Sequence, residues 1–163
     1  MKSEKGFTLV ELLITVAVMM ILGAMAILYT PNMLASYRVR GAARLIYSDM
    51  QMARLKAIKE GKVMCIIFNG SPFTSYTVVE AGTNGICDPG VDVVDTTGEK
   101  NVAIASEYSG VNMTHNFSAN TLNFNPNGTA EGGTATLCNS SREQGVVVNN
   151  NTGNIRIDNT STC

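Results

Sequence analysis

From Phe7 to Tyr29 the chain is apolar except for one charge, Glu11. As a helix such a run is about 35 Å long, enough to cross a bilayer. Pro31 follows. A proline removes a helix donor and crowds the preceding turn, so the pattern predicts a kink there. The period then becomes amphipathic: Val39, Ala42, Ala43, Ile46, Met50, Ala53 and Ala57 fall on one helical stripe. Gly61 stands where a glycine ends a helix. The pattern therefore predicts an apolar helix over 7–29 and an amphipathic one over 30–61.

After Gly61 short β-rich runs alternate with Gly, Asn, Pro and Ser clusters. The expected strands are Lys62–Phe68, Tyr76–Ala81, Val102–Glu107, Val111–Phe117, Thr121–Phe124, Thr134–Cys138, Val146–Asn149 and Asn154–Asp158. Asn151-Thr152-Gly153 reads as the hairpin turn between the last two. The class is α+β: a long N-terminal helix packed on an antiparallel, two-sheet β domain over 62–163.

Composition adds a charge gradient. From Asn32 to Glu60 six bases (Arg38, Arg40, Arg44, Arg54, Lys56, Lys59) face two acids, a net of +4. From Gly61 to Cys163 four bases face nine acids, a net of −5. The basic side chains lie mostly off the apolar stripe, as on a solvated face. They could also meet acidic neighbours or anionic headgroups.

Glu11 asks for a partner. An ionised, unpaired carboxylate in hydrocarbon costs roughly 2–3 kcal/mol or more. Ahead of it, Lys2 and Lys5 in the leader 1–6 favour a cytoplasmic start. No small-residue cleavage site follows the apolar run, since Tyr29-Thr30-Pro31 is bulky and proline-blocked. The small residue stands before the run, at Gly6. A cut between Gly6 and Phe7 would keep the helix and expose a new amine. A plain signal anchor with a snorkelling Glu, and a buried soluble helix, are the simpler alternatives.

Gly6-Phe7-Thr8-Leu9-Val10-Glu11 ahead of an unbroken apolar helix resembles the class III signal of type IV pilins and type II secretion pseudopilins. Three further patches narrow this. They are Gln51 to Gly61 leading into Val63-Met64-Cys65, then Phe124-Asn125-Pro126-Asn127-Gly128-Thr129, then Gly145-Val146-Val147-Val148 with Thr152-Gly153-Asn154-Ile155-Arg156-Ile157. Together they are similar to the GspH/FimT group of minor pilins and pseudopilins. The resemblance implies prepilin peptidase cleavage after Gly6, N-methylation at Phe7, and pairing of Glu11 with a neighbouring subunit's amine. It implies a scarce structural subunit near a filament tip, involved in initiating assembly. Its implied partners are other pilin subunits, the peptidase, the inner-membrane assembly platform and membrane lipid. The implied location is the bacterial inner membrane, with the β domain periplasmic.

Some members of that group bind DNA through two arginines flanking one residue after a glycine. Here the matching positions are Gly153, Asn154, Ile155 and Arg156, so one arginine is replaced. With an acidic domain around Arg156, nucleic acid is the disfavoured alternative.

Four cysteines, Cys65, Cys87, Cys138 and Cys163, allow three pairings in an exported chain. Sequence locality favours Cys65–Cys87 and Cys138–Cys163. No C-x-x-C spacing and a single histidine, His115, argue against a zinc site. Asp88, Asp92 and Asp95 share a loop but lack EF-hand spacing. His115 reads as a satisfied polar residue in a strand. No nucleophile has a base and an orienter, so neither an enzyme nor a cofactor is expected.

Overall fold

The computed structural model describes residues 6–70, 73–82, 85, 87 and 100–159, with the side chains of 26–32 excepted. The leader residues Lys2 and Lys5, the loop acids Asp88, Asp92 and Asp95, and Cys163 lie outside the described residues. Helix α1 covers Leu9–Glu60 as one element, and the chain divides into two units between Leu34 and Ala35. Pro31, where a kink is predicted, falls inside this helix.

In the second unit the predicted stripe is the buried face of α1. Val39, Ala42, Ala43, Ile46, Met50, Ala53 and Ala57 are all buried. Full burial of a side chain such as Ile46 or Met50 stabilises by about 1.5–3 kcal/mol, and this face supplies the helix half of the core. The helix ends as expected: Gly61 is left-handed at φ 68° and its N–H donates to the Ala57 carbonyl at 3.0 Å.

Eight strands follow among the described residues: β1 (Met64–Gly70), β2 (Phe73–Glu80), β3 (Lys100–Ala103), β4 (Asn112–His115), β5 (Thr121–Phe124), β6 (Gly133–Asn139), β7 (Arg142–Val148) and β8 (Ile155–Asp158). All pairings are antiparallel. The two expected sheets are present as two ladders, β5-β1-β2-β3 and β4-β6-β7-β8. They are not separate sheets. A single registered pair, Phe73 with Met113, joins β2 to β4 and makes one hydrogen-bonded sheet.

One predicted strand is corrected. Val102–Glu107 splits: β3 ends at Ala103, and Ile104–Glu107 forms one helical turn, α2. The turn buries Ile104, and the Ser106 hydroxyl donates to the Ala103 carbonyl at 2.9 Å. Val102 and Ile104 are both buried, in step with strand alternation, and the turn then leaves Ala105, Ser106 and Glu107 exposed while Tyr108 packs against the helix at Gly41.

Cys65 and Cys87 form the predicted disulfide, with a Cα–Cα distance of 6.0 Å. It closes a loop of 22-residue separation, worth about 3 kcal/mol in the chain-entropy picture. With Ile67 and Val79 it builds a second, small core on the opposite sheet face. Cys138 is buried on β6 and is also disulfide-bonded. Its predicted partner lies outside the described residues.

Candidate assembly site

At the N-terminus the local structure follows from three residues. Gly6, Phe7 and Thr8 precede the helix in non-helical backbone, and Phe7 is 84% exposed. Thr8 is the N-cap: its Oγ1 accepts the Glu11 N–H at 3.3 Å, and its carbonyl accepts the Leu12 N–H at 3.2 Å. Glu11 thus occupies the third helical position, where a carboxylate answers the positive end of the helix dipole. Thr-x-x-Glu is a capping-box spacing, legible in the sequence.

Every described residue from Gly6 to Met25 is exposed, Glu11 included. The only polar side chain further along that stretch, Thr15, donates its hydroxyl back to the Leu12 carbonyl at 2.9 Å. A helix apolar on all sides has no face meant for water. Among the described residues no helix is long and apolar enough to cross a membrane. The described side chains break off at Met25, inside the apolar run.

The distal patches meet in the second unit around Arg54. Its Nε donates to the Gly128 carbonyl at 2.9 Å. Its terminal nitrogens donate to the Thr152 carbonyl at 3.0 Å and to Asn154 Oδ1 at 3.4 Å. One guanidinium therefore ties α1 to the Asn125–Thr129 turn and to the β7–β8 hairpin. Arg38 similarly donates to the Ser109 carbonyl at 3.1 Å. The expectation of a wholly solvated basic face is corrected for these two, whose long arms reach turn carbonyls from the stripe's edge. Arg40, Arg44 and Lys59 remain exposed.

The two turns touch through glycines. Gly153 is left-handed at φ 62°, and a Cβ there would lie 2.2 Å from the Gly128 carbonyl oxygen. Gly153→Ala should therefore lower stability by at least about 2 kcal/mol, combining backbone strain with overlap. Gly110→Ala is the control, since φ is 80° but nothing lies within 4 Å of the added carbon. Its cost should be about 1 kcal/mol, from strain alone. Equal costs in urea unfolding would dismiss the overlap.

The sequence reading missed Asp49. It lies on the buried stripe, only 2% exposed. Tyr76 donates its hydroxyl to Asp49 Oδ2 at 2.6 Å, and Lys100 pairs with Oδ1 at 2.6 Å. Burial, then the bond to Asp49, pushes the Tyr76 phenol well above the ordinary tyrosine range. The signal was available: an acid three residues from Ile46 and four from Ala53, in phase with an apolar stripe, must find partners.

Arg156, the candidate DNA contact, projects outward with a 63% exposed side chain beside Asp158 at 3.8 Å. Lys62 pairs with Glu80, Lys100 with Asp49, and Arg142 donates to Asn159 Oδ1 at 3.4 Å. Each base of the β domain is thus matched to a local acid or amide, and no phosphate-binding cluster forms among the described residues.

A long N-terminal helix with an exposed apolar first half, its second half packed on an antiparallel sheet, defines the type IV pilin-like class. The sequence matches the family described as "Type II transport protein GspH" over residues 42–153. It also matches the "Prokaryotic N-terminal methylation motif" over residues 1–27, which contain Gly6, Phe7 and Glu11. The chain belongs to the GspH family. No curated protein sequence matches it.

Among solved structures it is similar to the minor pseudopilin EpsH of the Vibrio cholerae type 2 secretion system. That likeness has 11% identity and a TM-score of 0.57, over 75% of this chain and 97% of that one. The type IV minor pilin FimU of Pseudomonas aeruginosa aligns at 13% identity and TM-score 0.59, over 76% and 90%. The solution structure of Escherichia coli GspH aligns at 12% and 0.52, over 80% and 94%. At such identities the likeness is one of fold.

Proposed function

We propose that this protein is a minor pilin or pseudopilin, a structural subunit assembled into a type IV pilus or type II secretion pseudopilus, near the tip and engaged in initiating assembly. The observation that carries this reading is the first part of the N-terminal helix: apolar on every side and exposed from Leu9 to Met25, with one carboxylate in its first turn. Such a surface demands lipid before assembly and sister helices after it. A prepilin peptidase cuts the exposed Gly6–Phe7 bond, and the Phe7 amine is methylated. Glu11 of one subunit then meets the amine of the next, which removes the cost of an unpaired carboxylate and sets the axial register. The helix sits in the inner membrane, engages the assembly platform there, and carries the β domain on the periplasmic side.

The test is the N-terminus of the protein isolated from its native cell envelope. Mass spectrometry should find a chain beginning at N-methylated Phe7. Chains beginning only at Met1 would overturn the proposal. Gel-shift titration of the purified protein at two salt concentrations addresses the DNA alternative. No salt-sensitive binding is expected, whereas tight binding lost in Arg156→Ala would restore that alternative.

A further inference from the structure

The chain's single histidine stands beside the pair that joins the two ladders. Met113, two residues earlier on β4, is fully buried and is the residue registered against Phe73 of β2. His115 follows it on the same strand face. Its ring centroid lies 4.0 Å from Phe73, 4.4 Å from Phe68 on β1 and 5.9 Å from Phe117. Phe68 and Phe117 are themselves stacked at 5.4 Å. Within this aromatic cluster both imidazole nitrogens are buried and neither has a hydrogen-bond partner. The expected satisfied polar histidine is thereby corrected, because aromatic rings occupy the positions from which donors or acceptors would come.

Among the described residues the neighbouring elements offer no charge to meet a proton. β1 presents Phe68, β2 presents Phe73, the segment after β4 presents Phe117, and Ala135 of β6 stands directly across. Tyr76, whose ring lies 6.4 Å from that of Phe68, is committed to Asp49. We propose that His115 is a proton-operated catch on the seam between the ladders: the neutral ring completes the aromatic cluster, and protonation loosens the Phe73–Met113 junction.

The physical reason is desolvation. His115 is only partly buried, but its two nitrogens are shut off from water: the neutral ring is tolerable there at a modest cost, whereas an imidazolium has two buried N–H donors and no acceptor. Burial accordingly holds the His115 pKa below the ordinary histidine value. With the folded-state value depressed, the unfolded chain binds more protons. The stability His115 allows is complete above the unfolded value of about 6.5 and is lost as pH falls through it towards the folded value. The faces of the phenylalanines could instead attract the cation, which would shift the titration the other way. This proposal stands whether or not the chain assembles into a filament.

The experiment is hydrogen exchange by mass spectrometry on the full chain in detergent micelles, at about pH 7.5 and about pH 5.5, corrected for intrinsic exchange. Peptides covering 73–80 and 112–117 should open several-fold more often at the lower pH, while the β7–β8 hairpin should change little. In His115→Phe, which fills the cluster without a titrating group, the difference should vanish. An NMR titration of the wild-type imidazole guards against a misfolded variant. Titration at or above the ordinary histidine value, or equal seam protection at both pH values, overturns the proposal.

Discussion

Glu11→Ala should leave the chain inserted in the membrane and remove it from the filament. An unpaired carboxylate in hydrocarbon costs roughly 2–3 kcal/mol, so a pairing that relieves it should favour incorporation by about thirtyfold or more. The measurement is the fraction of protein recovered in sheared filaments against that in the membrane. Capping supplies a rival account of Glu11, because it stands three residues after Thr8, whose Oγ1 accepts its N–H. Loss of that helix-end role is worth only about 0.5–1 kcal/mol. Thr8→Ala removes the cap and keeps the charge; Glu11→Gln keeps the shape and removes the charge. On the pairing account Thr8→Ala assembles and Glu11→Gln does not. If both assemble normally, Glu11 has no intersubunit role.

Asp49→Ala should lower the unfolding free energy by about 3 kcal/mol and the melting temperature by about 10 °C. The substitution strands the hydroxyl of Tyr76, a fully buried residue, and releases Lys100 from its only carboxylate among the described contacts. Part of that cost belongs to the orphaned hydroxyl. Tyr76→Phe in the Asp49→Ala background should therefore recover about 1 kcal/mol, a coupling that two independent sites would not show. Calorimetry on the two single variants and the double one decides it. A change under about 0.5 kcal/mol for Asp49→Ala would mean that the buried carboxylate contributes nothing to the docking of α1 on the sheet.

The legible parts share a trait: their signal is local or periodic. The stripe from Val39 to Ala57 is buried as its spacing demands. The capping Gly61, the strand Thr121–Phe124, the hairpin at Asn151–Gly153 and the Cys65–Cys87 bridge all lie where short-range chemistry points. Glu11 within the apolar run was legible for the same reason, since both are read within one stretch of chain, whereas the helix expected from Phe7 begins at Leu9 with Thr8 as its cap. What escaped needed contacts between distant residues. Asp49 is, in the sequence, only one of two acids within the basic stretch from Asn32 to Glu60; its partners wait 27 and 51 positions away. Arg54 was placed on a solvated face although it reaches turns 74 and 98 residues further on.

By itself the sequence determined where the apolar run, the amphipathic stripe and the strand-rich stretch lie along the chain, because hydrophobic period is a property of neighbouring residues; the expected two helices are one element, Leu9–Glu60. Only the tertiary structure decided that two ladders merge through Phe73 and Met113, and that His115 is enclosed by rings rather than hydrogen-bonded. A side chain's partners depend on which strands become neighbours, and that is set by packing of the whole core on α1, not by any segment's own preference.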